Sequence, residues 1–288
     1  DMLDNPINDF TIGIEDDITN KSLNVDENYK IDNSKEFLIY GYGSDGMVSA
    51  SKTIIKLIGD NSDKYVQGYF QYDSKKSGGV TISHLRFGDE PIRSTYYVKQ
   101  ADFVACHNSA YLKKYDMVED VKPGGTFLLN CVWDDEELET HLPGKVKRYI
   151  AQNKVKLYTC DAVNIAKEIG LGARRTNTIL QAAFFKIANI IPIDAAVDYM
   201  KDAIRKTYGR KGERIVNMNI AAVDAGVQYV HRVKIPKEWA DCPDDPAPAP
   251  TIGRDQNMTD FLKKIMVPMS TMHGDEVVGY YFMLRLID

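Results

Sequence analysis

Apolar residues recur along the chain with two alternating spacings, as strands and helices in alternation would produce. The run Phe37 to Tyr40 has the spacing of a buried strand, and the apolar residues over 48–58 have the spacing of one helix face. Further strand-type runs occur at 102–106, 126–132 and 155–159. This pattern predicts an α/β fold with a doubly wound, mostly parallel, Rossmann-like sheet. Helical spacing over 176–226 predicts additional C-terminal helices.

Three local patterns predict shorter elements. Thr11, Ile12 and Ile14 indicate one short strand in an otherwise polar beginning. Residues 109–117 have a helical pattern, and Val121 to Gly125 predicts a turn that leads into the strand at 126–132. These elements are not part of the regular alternation of strands and helices, so they do not alter the predicted fold class.

The glycine-rich turn after the first strand is a candidate anion site. A strand, a tight glycine turn and a helix leave unpaired N–H groups at the positive end of the helix, where a phosphate can bind. The turn's candidate contacts are Gly43, Ser44, Asp45 and Gly46. The glycine spacing only approximates a dinucleotide fingerprint, so a plain strand-to-helix connection stays open as the alternative.

Basic and amide side chains add candidates elsewhere. Lys75 and Lys76 lie in a loop of small residues, DSKKSGG, that can wrap a polyanion or form a solvated hairpin turn. Arg174 and Asn177 lie at the start of a helical segment. They are predicted either to form an anion site or to be surface or domain-interface residues. Asn130 ends a buried strand, at the sheet edge where α/β proteins bind ligands.

Composition and charge exclude several classes of protein. Lys and Arg number 36 against 41 Asp and Glu, a net charge of -5, which leaves no electrostatic footprint for nucleic acid. The sequence has no apolar run of about 18 residues and no signal-peptide pattern at its start, so we expect no membrane span and a cytoplasmic protein. The four cysteines form no CxxC pair and the five histidines no paired spacing, so we expect no iron–sulfur cluster and no metal site in this chain.

Polarity and proline content divide the chain into three segments. Residues 1–35 form a polar lead-in, and 36–240 carry the strand and helix alternation. The proline-rich stretch 241–252 predicts an extended linker, so that 241–288 comprises a linker and the start of a further domain.

Several longer motifs resemble the gamma-type domain of the pyruvate:ferredoxin (flavodoxin) oxidoreductases. They are FTIGIEDDITNKSL, GYGSDG, YVQGYFQYDSKKSGGVTISHLRFG and LGARRTNTILQAAFFK, and the resemblance runs from about Phe10 to Trp239. It implies that the chain is a fragment of a multidomain enzyme. The implied reaction is the oxidative decarboxylation of pyruvate with coenzyme A to acetyl-CoA and carbon dioxide, with ferredoxin or flavodoxin as electron acceptor.

The resemblance also implies where the cofactors belong. Thiamine diphosphate, Mg²⁺ and [4Fe–4S] clusters are expected in the full-length enzyme, implied to be a homodimer, and not in this fragment, which is expected to be inactive alone. Coenzyme A is expected here, with its phosphates on residues 43–46 and with Lys75 or Lys76 as counter-charge. Asn130, Arg174 and Asn177 are carried over by motif position. The alternatives are an interdomain docking module with an empty turn and an independent Rossmann nucleotide-binding protein that uses Asp73 for the ribose.

Overall fold

The computed structural model describes residues 6, 8–12, 18–24, 33–43, 45–73, 79–246, 252–274 and 277. The chain divides into two compact units. The larger unit is Ile31–Asp245, and the smaller unit consists of Asp1–Lys30 and Pro246–Asp288. The candidate residues that the structure describes all lie in the larger unit.

The larger unit is built on one seven-stranded sheet with the order β2-β3-β1-β4-β5-β6-β7. Five of the seven strands share one direction, and β3 and β7 run against their neighbours. The strands are β1 (Lys35–Tyr42), β2 (Tyr65–Tyr72), β3 (Val80–Gly88), β4 (Ala101–Cys106), β5 (Val121–Asn130), β6 (Lys156–Cys160) and β7 (His231–Arg232). The predicted α/β class is therefore confirmed, with a mixed sheet.

Strand β3 is antiparallel because of the short connection that precedes it. Only residues 73–79 separate β2 from β3, which is too short for the crossover that a parallel neighbour needs. The returning strand pairs with β2 and also with β1, where Ile39 lies opposite Ser83. As a result, β3 separates β1 from β2.

Helices cover both faces of the sheet. They are α1 (Met47–Asn61), α2 (Asp135–His141), α3 (Gly144–Gln152), α4 (Ala162–Ile169), α5 (Asn177–Ala188), α6 (Ile193–Tyr208) and α7 (Glu213–Gln228). Phe37 and Ile39 of β1 pack in the core that contains α1 and α4 to α7. Leu38 and Tyr40 pack in the other core, with α2 and α3. This alternation along β1 is what a strand buried on both faces requires.

Two predicted elements differ from the observed ones. The expected helix over 109–117 is a short 3-10 turn, Ser109–Lys113, capped by the Asn108 side chain, which accepts a hydrogen bond from Ala110 N at 3.1 Å. The expected turn at 121–125 is part of β5, whose register against β4 shifts between Ala101 and Phe103. Gly124, with φ +76°, allows this irregularity without ending the strand.

In the smaller unit, the residues that the structure describes include one helical run. Helix α8 (Gln256–Phe261) begins at Asp255, whose side chain accepts a hydrogen bond from Met258 N at 2.8 Å. It continues through a π-helical turn, Leu262–Met266, into α9 (Val267–Ser270). Thr11 pairs with Ser22 in an isolated bridge, while Ile14 lies outside the described residues. Over the described part of the chain, no helix is long and apolar enough to cross a membrane.

Candidate functional site

The glycine turn connects the end of β1 to the start of α1. Gly43 N donates a hydrogen bond to Gly79 O at 3.0 Å, which ties the turn to the residue just before β3. Asp45 N donates to Tyr42 O at 3.0 Å and closes the turn on itself. Gly46 has φ +84°, a conformation that strains any residue with a side chain. The turn therefore needs glycine at position 46 for backbone reasons alone.

The Asp45 side chain caps helix α1. Its two carboxylate oxygens accept hydrogen bonds from Tyr42 N and Met47 N, each at 2.7 Å. Burial raises the pKa of Asp45 above its usual value, although these backbone hydrogen bonds oppose the shift. A negative charge of the protein thus already lies at the helix start. An added phosphate would be left with Val48 N and Ser49 N, which the first helical turn leaves without intrahelical partners.

Asn177 lies against the glycine turn. A Cβ built on Gly46 would lie 3.2 Å from Asn177 Nδ2. Asn177 is the first residue of α5, so the N-termini of α1 and α5 meet at this point. Each helix N-terminus carries a partial positive charge, and two together favour a bound anion more than one does.

Packing in the sheet core positions α5. The Phe184 ring of α5 contacts the rings of Phe37 and Phe103, with centroids 5.7 and 5.3 Å apart. Because these strand residues are buried, the start of α5 is held near the carboxyl end of β1.

A cleft of about 420 Å³ opens beside the glycine turn. Its lining from the turn and from α1 includes Gly43, Asp45, Gly46, Val48 and Ser49, and its lining from β2, β3 and their connection includes Tyr72, Asp73, Gly79 and Thr81. The Tyr111 hydroxyl donates to Gly79 O at 3.3 Å and links this wall to the 3-10 turn. Three predicted contacts, Ser44, Lys75 and Lys76, lie outside the described residues. Tyr72, Ser49 and Thr81 had no motif that would have singled them out from the sequence.

Asn130 and Arg174 have different surroundings. Asn130 is 8% exposed, donates from Nδ2 to His107 O at 3.1 Å and accepts from Ala162 N at 3.2 Å. Its amide thus joins the end of β4 to the start of α4. Arg174 is exposed on the segment before α5, three residues from Asn177. Within the described residues, the structure brings Asn177 to the glycine turn and directs the Asn130 amide to main-chain partners.

A second cleft, of about 530 Å³, lies at the ends of β5 and β6. Four carboxylates line it together with Trp133, Tyr229 and His231, and they belong to Asp134, Asp135, Glu136 and Asp161. This charge disfavours an anionic ligand, so the glycine-turn cleft is the better phosphate site of the two.

Three of the four cysteines behave as buried apolar residues. Cys106, Cys131 and Cys160 are buried free thiols, and burial raises the pKa of Cys106 to about 12. Metals and clusters bind the thiolate, which this burial disfavours. Among the described residues, no group of three or more His, Cys, Asp or Glu side chains is arranged to hold a metal ion.

Comparison with known proteins assigns the chain to a family. The model of the family described as pyruvate ferredoxin/flavodoxin oxidoreductase matches residues 36–229. The chain belongs to this family. The chain is 51% identical over 274 residues to the pyruvate:ferredoxin oxidoreductase of Moorella thermoacetica and 46% identical over 275 residues to the pyruvate-flavodoxin oxidoreductase of Klebsiella pneumoniae. Each alignment covers 94% of this chain and 23% of the relative, so the chain spans about a quarter of these proteins.

Two solved structures of oxidoreductases have a similar fold. The pyruvate oxidoreductase subunit PORC of Thermotoga maritima superimposes with a TM-score of 0.56 at 21% identity, over 70% of this chain and 100% of that chain. The 2-oxoglutarate:ferredoxin oxidoreductase of Magnetococcus marinus gives a TM-score of 0.50 at 19% identity, over 75% of this chain and 32% of that chain. The family resemblance predicted from the motifs is confirmed.

Proposed function

We propose that this chain is the coenzyme A-binding part of a longer enzyme that oxidatively decarboxylates pyruvate to acetyl-CoA and carbon dioxide and reduces ferredoxin or flavodoxin. Relatives named pyruvate:ferredoxin oxidoreductase and pyruvate-flavodoxin oxidoreductase support pyruvate as the substrate and ferredoxin or flavodoxin as the electron acceptor. The chain's 23% share of their length supports its being one part of such an enzyme. In this proposal the fragment is inactive alone, and the full-length enzyme is a cytoplasmic homodimer.

The observation that carries the proposal is the contact between Asn177 and Gly46, where two helix N-termini meet beside a cleft. Coenzyme A presents a diphosphate and a 3′-phosphate, which suit helix N-termini and basic side chains. We assign Val48 N, Ser49 N and the Asn177 amide to these phosphates. Arg174, Lys75 and Lys76 supply positive charge around them. The Magnetococcus marinus enzyme, similar in fold, has coenzyme A bound.

The other cofactors of the family do not fit the described residues of this chain. A [4Fe–4S] cluster needs several thiolates together, whereas Cys106, Cys131 and Cys160 are buried thiols that form no metal-binding group. Thiamine diphosphate is held through Mg²⁺ on oxygen ligands, and the described residues contain no group of three or more His, Cys, Asp or Glu side chains that could hold a metal ion. We therefore assign these cofactors to other domains of the full-length enzyme.

The test is steady-state kinetics of the full-length enzyme with Asn177→Ala. Losing a hydrogen bond to a charged group costs about 1.5–3 kcal/mol, so the KM for coenzyme A is expected to rise about tenfold or more while the KM for pyruvate stays unchanged. Asn217→Ala, an exposed asparagine on α7, is the matched control. An unchanged KM for coenzyme A in a folded Asn177→Ala enzyme would exclude the proposed contact.

Two other functions make different predictions. A Rossmann dinucleotide site needs the ribose-binding acid at the end of the strand next to β1, but β3 lies between β1 and β2, which Asp73 follows. Binding of NADH without binding of coenzyme A would favour that function. A docking module with an empty turn predicts that Lys75→Ala with Lys76→Ala leaves the KM for coenzyme A unchanged, whereas we expect it to rise.

A further inference from the structure

Four half-exposed tyrosines cover one part of the sheet. Val66 and Phe70 of β2 pack toward the α1 side, so Tyr65 and Tyr69, which alternate with them, point to the opposite side. Tyr96 and Tyr97, from the segment after β3, accompany them. The exposed fractions are 48, 53, 41 and 47% for Tyr65, Tyr69, Tyr96 and Tyr97, which we call the tyrosine face. Strand β2 is the edge strand of the sheet, so this face lies at the border of the domain.

The tyrosine face is held in place by ring packing. The Tyr97 ring lies 5.1 Å from Tyr69 and stacks on His84 at 4.8 Å with an interplanar angle of 17°. His84 Nδ1 accepts a hydrogen bond from Val98 N at 3.2 Å, which fixes the imidazole. A preformed aromatic surface loses little conformational entropy when a partner covers it.

A buried arginine beneath this surface has one unsatisfied donor. Arg86 is 3% exposed; its Nε donates to Glu36 at 3.2 Å and its Nη1 to Gln67 at 3.0 Å. Its Nη2 is buried without a hydrogen-bond partner in the described part of the chain. The Arg86 guanidinium carbon lies 5.0 Å from the centroid of the Tyr96 ring, which is part of the tyrosine face. Buried donors are normally satisfied, so Arg86 Nη2 lacks an acceptor, and the tyrosine face lies next to this guanidinium.

We propose that another domain of the same polypeptide covers the tyrosine face in the full-length enzyme, shifts the Tyr96 ring and supplies a carbonyl or carboxylate oxygen to Arg86 Nη2. The chain spans 23% of its relatives' length, so most of such a polypeptide lies outside these 288 residues. A tethered domain meets this face at an effective concentration in the millimolar range, which favours it over a second copy. Tyrosine and other aromatic residues are also enriched at interfaces. The inference rests on the proposed multidomain enzyme but not on coenzyme A binding.

The test is photo-cross-linking of the full-length enzyme with Tyr97→p-benzoylphenylalanine and, separately, Tyr69→p-benzoylphenylalanine. Enzyme assembled from isotopically light and heavy copies separates cross-links within one chain from those between chains. We expect cross-links within one polypeptide, from each position to a segment outside these 288 residues. Cross-links only between copies would assign the face to a second copy and overturn the proposal. Cross-links confined to these 288 residues, or none at either position, would overturn it as well.

A charge substitution separates this inference from the coenzyme A site. Tyr97→Glu places a charge in the covered face, so the full-length enzyme is expected to unfold at a lower temperature than with Tyr97→Gln, which loses the same ring contacts to Tyr69 and His84 without adding a charge. The KM for coenzyme A is expected to stay unchanged. Tyr97→Phe keeps the ring and is the matched control, expected to behave as the unmodified enzyme. If Tyr97→Glu and Tyr97→Gln unfold at the same temperature, the face is open to solvent and the inference fails, whatever Asn177→Ala does to the KM for coenzyme A.

Discussion

Asn177 Nδ2 lies 3.2 Å from the point that a Cβ on Gly46 would occupy. This contact joins the start of α5 to the start of α1, two helices that are far apart in sequence. Gly46 is thus constrained twice, by its positive φ of 84° and by the amide beside it. The positive φ is required by the conformation of the turn, and the Asn177 amide is part of the proposed binding site.

Gly46→Ala separates the two constraints. An alanine at a left-handed position costs about 1–2 kcal/mol of folding stability, and its Cβ would push the Asn177 amide away. We expect that loss in the free energy of unfolding of this chain, together with a severalfold higher KM for coenzyme A in the full-length enzyme. Chemical denaturation and steady-state kinetics measure the two effects.

Gly124→Ala is the matched control for strain, because Gly124 has φ +76° and a Cβ at this position would meet nothing within 4 Å. It is expected to lose similar stability with an unchanged KM for coenzyme A. In an Asn177→Ala background, Gly46→Ala should raise the KM no further. A full additional increase there would mean that Gly46 acts independently of Asn177.

The regular parts of the fold follow from local patterns, and the contacts of single side chains do not. The apolar run Phe37 to Tyr40 predicts β1, and its side chains pack alternately in the two cores. Asn130 ends β5, and this position at the edge of the sheet predicts a ligand contact. Its bonds to His107 O and Ala162 N depend on two other chain segments, which the pattern of one segment does not contain.

At Asp45 the sequence supports two roles, one for the backbone N–H and one for the side-chain carboxylate. The glycine turn predicts a phosphate contact through the backbone N–H of Asp45, while an aspartate before a helix is also a typical capping residue. Its carboxylate accepts from Met47 N at 2.7 Å, which is the first N–H of the helix and not the second or third that the rule predicts, because Gly46 is the N-cap. The sequence does not predict that a capping carboxylate lies next to the proposed phosphate site, because that proximity depends on the distances and burial in the folded chain.

Asp45→Asn is expected to tighten coenzyme A binding. The carboxylate repels a phosphate at the same helix start, and with the screening of bulk water the removal of a unit charge about 4 Å away is worth about 1 kcal/mol, or about fivefold in KM. Asparagine keeps one accepting oxygen but turns its NH2 group toward the other backbone N–H, so we also expect a loss of about 1–3 kcal/mol in the free energy of unfolding. Asp60→Asn, at the far end of α1, changes the same charge about 20 Å away and should leave the KM unchanged. A weaker affinity in Asp45→Asn would indicate that the carboxylate itself contacts the ligand.

Asn130→Ala tests whether the buried amide is structural. Removing it leaves His107 O and Ala162 N without their partner, which costs about 1–3 kcal/mol. We expect that loss in the free energy of unfolding, with the KM for coenzyme A within about twofold of the unmodified enzyme. Asn164→Ala, a half-buried asparagine on α4, controls for the loss of an amide on a neighbouring element. A tenfold rise in KM with unchanged stability would instead place Asn130 in the binding site.

Tyr40 and Asp120 give the chain a pH-dependent term in its stability. Tyr40 OH donates to Asp120 Oδ2 at 2.5 Å, and burial raises the pKa of Asp120 from 3.8 to about 6. The folded chain therefore binds this proton more tightly than the unfolded chain does. The resulting stabilisation is fully present below about pH 4 and is lost as the pH rises through 6.

Asp120→Asn removes this term, because asparagine is neutral at every pH. We expect the stability of the variant relative to the unmodified chain to increase by about 2 kcal/mol between pH 4.5 and pH 7, as one pKa unit corresponds to about 1.4 kcal/mol. Urea denaturation at the two pH values measures the difference in the free energy of unfolding between the variant and the unmodified chain. The contributions of the other carboxylates are the same in both proteins and therefore cancel. Asp60→Asn, at an exposed site, should show no such change. A difference that is the same at both pH values would mean that Asp120 keeps an ordinary pKa in the folded chain.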